Sequence, residues 1–329
     1  MKKVVAPFIL LSLLMISACE TEVDLIGEFK QTPIIYGLLN QKDSIHYVRV
    51  NKAFITSENA FDAAKIEGIN EYYPDSVQVY LLEMDENGSL LDKVIMDTTT
   101  YYTKPGDFNT KKLYYTCLKV LNENNTYQIV VNDLNADSAF AETELVRDFQ
   151  ILVPRPFGSA NFISPTGAAQ SFKWNPSYYG KKYETSIMFY YKEKRSDMSD
   201  SITRYVEWPV GSITVDKPES PPGEKSVPYI PETFFQICEN QIPYNDPQEE
   251  AKVNGRRPLS VDFIISVAAD ELNTYIEVNN TSGIVQDRSV FTNVENGIGI
   301  FSSRYQKVRQ KPLHLESLLR LKDMGLKFE

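Results

Sequence analysis

From residue 33 onward the chain repeats one pattern: short segments in which apolar and polar residues alternate, cut by turn-forming residues. In DSVQVYLLE, Val77, Val79 and Leu81 fall on one side and Gln78 and Tyr80 on the other. A period of two is what a strand with one buried face requires. PIIYGLL, SIHYVRVNKAF, SLLDKVIMD, KKLYYTCLKVL, NTYQIVVND and SAFAETELV read the same way, which makes seven strand segments over residues 33–147. Asn87-Gly88 is a hairpin turn, because both residues tolerate positive φ. The acids beside it, Asp85 and Glu86, lack the alternating ligands of a calcium loop. Asn59 to Glu67 breaks the pattern and predicts a short helical turn capped by Ser57 or Asn59. Seven short strands separated by turns predict an immunoglobulin-like β-sandwich over residues 33–148.

The second half keeps the strand pattern and adds helices. VPRPFGS (153–159) reads as a joint between two domains. SFKWNP, KKYETSIMFYYKEK and SITRYVEWPVGSITV read as strands, with Trp174 a core residue and Pro209 a bend. Thr233 to Asn240 reads as a helix with Pro231 near its first turn. RRPLSVDFIISVAADELNTYIEVNN runs from a strand into a helix starting near Asp270. Leucines at 313, 315, 318, 319 and 321 mark one side of a last helix, ended by Gly325. The expected fold is mainly β: two immunoglobulin- or fibronectin-like β-sandwich domains, 33–148 and 149–329, the second with helical insertions and a short C-terminal helix.

The first residues carry a different message. Lys2 and Lys3 precede an apolar run from Val4 to Met15. That run, roughly a dozen residues at about 1.5 Å each, is too short for a hydrocarbon core of roughly 30 Å. It fits the apolar region of a signal peptide over residues 1–18. Ile16-Ser17-Ala18-Cys19 resembles the bacterial lipobox, an aliphatic residue and two small ones before a cysteine whose thiol takes diacylglycerol. Cys19 is the expected lipidation site and 19–32 the tether. Two or three acyl chains hold a protein to a membrane where one does so only marginally. Glu20, Glu22 and Asp24 follow directly; they read either as a surface-export signal or as a solvated acidic linker.

The lipobox, the immunoglobulin-like first half, SFKWNPSYYGKKYETSIMFYYKE and VFTNVENGIGIFSSRY together resemble one family. It comprises uncharacterised Bacteroidota-type outer-membrane lipoproteins, a domain-of-unknown-function family often encoded near TonB-dependent transporters. The most specific piece is Asn293 to Phe301, NVENGIGIF. The resemblance implies an outer-membrane, lipid-anchored protein with an outer-membrane transporter as a candidate partner, and the acidic residues after Cys19 favour surface exposure over the periplasm. It brings no catalytic residue.

Chemistry is sparse. The formal net charge is −10, and losing Lys2 and Lys3 with the leader makes the mature chain more acidic still. Such a chain has no general attraction for phosphate backbones, so nucleic acid is excluded as a partner. Only two histidines occur, and His46 and His314 read as surface or edge residues. No G-x-S-x-G, H-E-x-x-H or P-loop pattern occurs, and the glycines of Asn296-Gly297-Ile298-Gly299 read as a tight turn entering a strand. Cys117 and Cys238 read as separately buried thiols, although export permits a bridge. Five Tyr-Tyr pairs (72–73, 101–102, 114–115, 178–179 and 190–191) place one ring on each face of a strand. Outward rings suit a stacking platform for sugars or a protein contact. Strand propensity accounts for them without a ligand, and that is the reading taken. The expected function is a non-enzymatic binding or accessory module, without cofactor or metal, held by membrane lipid on Cys19, with a transporter or a glycan as partner. The alternatives are a structural or adhesive envelope component and a carbohydrate-active enzyme using an acidic pair.

Overall fold

A computed structural model describes residues 32–54, 56, 59–66, 68–73, 76–102, 111–133, 137–221, 223–280 and 291–329. Cys19, the expected leader and the tether up to residue 31 lie outside the described residues. The strands are β1 (Pro33–Leu39), β2 (Ile45–Lys52), β3 (Val77–Met84), β4 (Leu90–Ile95), β5 (Asp97–Tyr102), β6 (Lys111–Leu118), β7 (Thr126–Asp133) and β8 (Ala139–Glu144), then β9 (Ile151–Val153), β10 (Gln170–Trp174), β11 (Lys182–Arg195), β12 (Ile202–Thr214), β13 (Lys225–Tyr229), β14 (Val253–Ala268) and β15 (Ile298–Lys311). The helices are α1 (Ala60–Ala63), α2 (Thr233–Gln241), α3 (Pro247–Ala251), α4 (Asp270–Asn280) and α5 (Leu315–Asp323). The chain is mainly β with few, short helices, and its sheets pack as β-sandwich-like layers.

One eight-stranded sheet, in the order β12-β11-β14-β15-β1-β2-β6-β5, runs through the molecule. Its only parallel pairing among these neighbours is β1 with β15, where Ile34 faces Ile298 and Leu39 faces Ser303. The four-stranded sheet β4-β3-β7-β8 packs with the β1-β2-β6 side. The cluster between them holds Ile35, Val48, Val79, Leu81, Tyr115, Ile129 and Phe301, all 2% exposed or less. The three-stranded sheet β13-β10-β9 and helices α2 and α5 pack with the β11-β12-β14 side around Phe162, Phe172, Trp174, Phe189, Phe234 and Leu321. Buried residues pass from one cluster to the other between Leu145 and Val146. The large sheet is continuous across that point, and residues 32–329 form one compact unit. The proline-rich 153–159 segment starts in β9 and is tied down, since Lys311 Nζ donates to the Phe157 carbonyl at 2.6 Å.

The NVENGIGIF segment owes its residues to this seam. The Asn293 side chain takes both backbone groups of Phe301, accepting from its N–H at 3.0 Å and donating to its carbonyl at 2.6 Å. Asn296 turns the chain at φ 54°, and Gly299 sits at φ 114°. A Cβ on Gly299 would lie 2.0 Å from the Ile35 carbonyl oxygen, so only glycine lets β15 lie against β1. Asp85 closes the β3–β4 hairpin by accepting from the N–H groups of Asn87 and Ser89, with Gly88 at φ 76°. Asn59 caps α1, and Gly325 follows α5 at φ 72°.

Four elements were not legible in the sequence. β5 (DTTTYY) is threonine-rich and lies at the end of the sheet, so it shows no alternation. β9 is three residues long, β13 follows a proline loop, and α3 is a single short turn capped by Asp246.

At the far end of β11 the inward face changes from rings to charge. Tyr183, Ile187, Phe189 and Tyr191 are followed by buried Glu193 and Arg195. Glu193 accepts from Arg256 Nε at 3.0 Å and from the Tyr244 hydroxyl at 2.7 Å. Arg256 also donates to Glu250 and to the Leu326 carbonyl, which ties β14, α3 and the C-terminal residues together.

Candidate functional site

The outer face of the large sheet carries a cleft of about 450 Å³ between β15, β1, β2 and α4. Strand parity builds it. On β1, Ile35 points into the core and Tyr36 and Leu38 point out. On β2, His46, Val48 and Val50 point in and Ile45, Tyr47 and Arg49 point out. Tyr36 stands opposite Arg49 on one side and Ile300 on the other. Val48 faces Tyr115, so Arg49 adjoins Tyr114 on the outer face of β6.

Helix α4 forms the opposite wall. It starts where β14 ends, and its first turn is fixed to β15: the Ala269 N–H donates to the Ser303 carbonyl, and the Ser302 hydroxyl donates to Glu271 at 2.9 Å. This brings Leu272 and Tyr275 over the sheet. The Tyr275 ring meets Tyr36 edge-on at 6.4 Å. Tyr101, from β5, extends the tyrosine array with edge contacts to Tyr47 at 5.6 Å and Tyr114 at 5.4 Å. Tyr36, Tyr47 and Tyr101 remain 42%, 40% and 45% exposed. These rings are held in place by their neighbours yet open to solvent. Burial, with a hydrogen bond to Tyr36, raises the Tyr275 phenol above its usual range, and a hydrogen bond with Tyr47 raises that of Tyr101. Both stay neutral, so they offer hydroxyl donors and acceptors rather than charge.

Of the residues singled out in the sequence, Tyr101 and Tyr114 belong to this array. Tyr114–Tyr115 divides as expected, whereas Tyr72–Tyr73, at 3% and 79% exposed, and Tyr178–Tyr179, in a turn, lie outside any strand, so strand parity does not set their faces. Tyr191 is buried with Tyr190 partly exposed. Tyr101 and Tyr102 are both exposed, because β5 is the last strand of its sheet. Cys117 and Cys238 are free and buried in different clusters. Burial pushes the Cys117 thiol up to about 11 and raises Cys238 further, so neither is a thiolate near neutrality. His314 caps α5, accepting from the Glu316 N–H.

His46 corrects the expectation of a surface or edge role. It is 3% exposed, and its Nε2 lies 2.8 Å from the Lys119 carbonyl. Its parity with Val48 and Val50 marks the inward face. Ile45 and Tyr47 on the other parity are also apolar, which left the face ambiguous in the sequence. Tyr36, Tyr47, Arg49 and Tyr275 were not singled out either. Their parity was readable, but the strands that would lie beside them were not.

Among the described residues, no group of three or more His, Cys, Asp or Glu side chains is placed to hold a metal ion, and no helix is long and apolar enough to cross a membrane.

No protein-family model matches the chain, and no curated protein matches it. Solved structures show weak likeness, and three of them illustrate it. Trypsin-activated alpha-2-macroglobulin from Escherichia coli is 10% identical over 73% of this chain and 14% of its own, with a TM-score of 0.18. The C-terminal globular domain of an oligosaccharyltransferase from Pyrococcus abyssi is 13% identical over 58% of this chain and 38% of its own, with a TM-score of 0.25. A cytokine receptor complex is 9% identical over 86% of this chain and 99% of its own, with a TM-score of 0.24. The chain thus spans well under two thirds of the first two. Likeness at this level carries no argument about fold or function.

Proposed function

We propose that this protein is a lipid-anchored lipoprotein of the outer membrane that acts as a non-enzymatic binding module, taking its ligand in the tyrosine-lined cleft. The observation that carries the reading is the exposed array itself. Tyr36, Tyr47, Tyr114 and Tyr275 come from four different elements and converge on one hollow rather than filling either core, and Tyr101 from a fifth packs edge-on against Tyr47 and Tyr114. Rigid rings with few rotatable bonds and a polar tip lose little entropy on binding, which suits a recognition surface. A volume of about 450 Å³ lies inside the usual range of ligand sites, roughly 300–1,000 Å³. The lipobox supports the anchor, and the resemblance of NVENGIGIF and its companion phrases supports a place beside a transporter.

The test uses the full-length protein extracted from membranes in detergent. Wild-type protein should capture a glycan on an array or a membrane protein in a pulldown, and Tyr36→Ala/Tyr47→Ala should lose that capture without losing its fold by circular dichroism. Blank arrays and an empty pulldown would refute the binding role. The anchor has its own check: Cys19→Ser should block lipid processing and release the protein from the envelope pellet after a high-salt wash. A variant that is still processed and retained removes the lipoprotein reading.

A further inference from the structure

We infer that the cleft selects an acidic saccharide, one whose pyranose ring stacks on the tyrosines while its carboxylate is taken by Arg49 and Arg304. The inference rests on the binding role proposed above and names the ligand's chemistry.

The first observation is charge out of place. The chain is acidic, with a net charge of −10, yet two of the polar residues lining this hollow are arginines. Arg49 is half-buried on β2 and Arg304 is exposed on β15. Neither makes an ion pair or a side-chain hydrogen bond within the described residues. Two other arginines, Arg195 and Arg256, each hold two carboxylates. The one carboxylate lining the cleft, Asp43, accepts from the Asn40 side chain in the β1–β2 turn at 3.3 Å. Two guanidinium groups with free donors, lining a hollow whose one carboxylate is Asp43, match an anion, and the planar fork of arginine fits a carboxylate bidentately. The overall negative charge acts weakly at this site, because it is screened beyond roughly 8 Å at physiological salt.

The second observation is the ring geometry. Tyr36 and Tyr275 meet edge-on, as do Tyr47 and Tyr101; such a contact covers a face of at most one of its two rings, and Tyr36 and Tyr47 in the cleft lining keep 42% and 40% of their surface exposed. The negative face of an aromatic ring attracts the slightly positive C–H face of a sugar ring, and neutral phenols supply hydroxyl partners. A peptide fits less well. Extended peptides bind by adding to a free sheet edge, whereas β15, β1 and β2 under the cleft are internal strands whose backbone groups are already paired. An acidic saccharide uses both features at once.

The experiment is calorimetric titration of the full-length protein in detergent. The acidic probes are trigalacturonate, a hyaluronan tetrasaccharide and 3′-sialyllactose. The uncharged ones are methyl-esterified trigalacturonate, maltotriose, cellotriose and chitotriose, and a polyglutamate peptide is added as a competitor. At least one acidic sugar should bind at least about tenfold tighter than every uncharged sugar, the scale of a charge-assisted hydrogen-bonded pair. That affinity should fall as salt rises. Arg49→Gln/Arg304→Gln should bring acidic and uncharged sugars together, while Tyr36→Ala/Tyr47→Ala weakens both. Uncharged sugars binding as well as acidic ones, unaffected by Arg49→Gln/Arg304→Gln, would overturn acid selection and leave the binding role standing. Tighter binding of polyglutamate than of any sugar would overturn the saccharide, again leaving a binding role. No binding of any probe overturns this inference; if pulldown by the same tyrosines then fails as well, the binding role falls with it.

Discussion

His46 shows how one side chain sets a pH dependence. Its burial lowers the imidazole below the usual histidine value of about 6.5, which means that the folded protein holds the neutral form. The unfolded chain takes up a proton first as pH falls. Stability tied to this group is therefore complete above about 6.5 and is lost as pH drops through the lower folded value. Thermal unfolding should show a fall in Tm between pH 7.5 and 5.5, and His46→Gln should flatten that dependence; equal pH slopes would show that His46 titrates as it does in water. Gly299 is a second single-residue constraint. At φ 114° and against the Ile35 carbonyl, Gly299→Ala adds both backbone strain and a clash. It should lower unfolding free energy by at least about 2 kcal/mol, read as a lower urea midpoint. An unchanged midpoint would mean that β15 does not lie against β1 at this register.

Among the elements, β11 and β14 are joined at one end by ions rather than rings. Arg256 and Glu193 are both 1% exposed, with Glu250, Tyr244 and the Leu326 carbonyl around them. A buried pair adds little net stability over apolar residues of the same size, yet removing one partner strands the other charge. Glu193→Gln and Arg256→Met should each cost about 3–5 kcal/mol, and the double variant should cost less than the sum of the two. Additive losses in chemical denaturation would show that the two side chains do not meet. Helix α4 plays a different part. It is short and polar overall, yet its position over β15 completes the cleft, because Tyr275 has no counterpart on the sheet.

Across the whole molecule, two buried clusters share one sheet. Val48 and Leu81 lie in one, Trp174 and Phe189 in the other, and the β1–β15 pairing carries the backbone hydrogen bonds between them. A sheet cannot lose half its strands without exposing unpaired edges and a bare apolar face. Calorimetry should therefore show one cooperative transition. Leu81→Ala, at about 2–5 kcal/mol, and Trp174→Ala, at about 3–5 kcal/mol, should both shift that same transition. Two separate transitions, each moved by only one of these changes, would show that the halves melt independently.

By itself the sequence determined what depends on neighbours along the chain. The period of two placed the seven strand segments of residues 33–147, Asn59 and Gly325 marked helix ends, and Trp174 declared itself a core residue. Ile16 to Cys19, which resembles a lipobox, is local in the same sense, a short linear segment. The tertiary structure decided what depends on which strands lie side by side. Parity put Tyr36, Tyr47 and Arg49 on outward faces, but only the parallel joining of β1 to β15, hundreds of residues apart in the chain, set them beside Ile300 and Arg304. The same long-range pairing brought α4 over the sheet with Tyr275, while the pairing of β2 with β6, where His46 faces Cys117, turned His46 from an edge residue into a buried one. Strand register is fixed by packing across the sheet rather than along it, so the cleft exists only once the sheet is assembled.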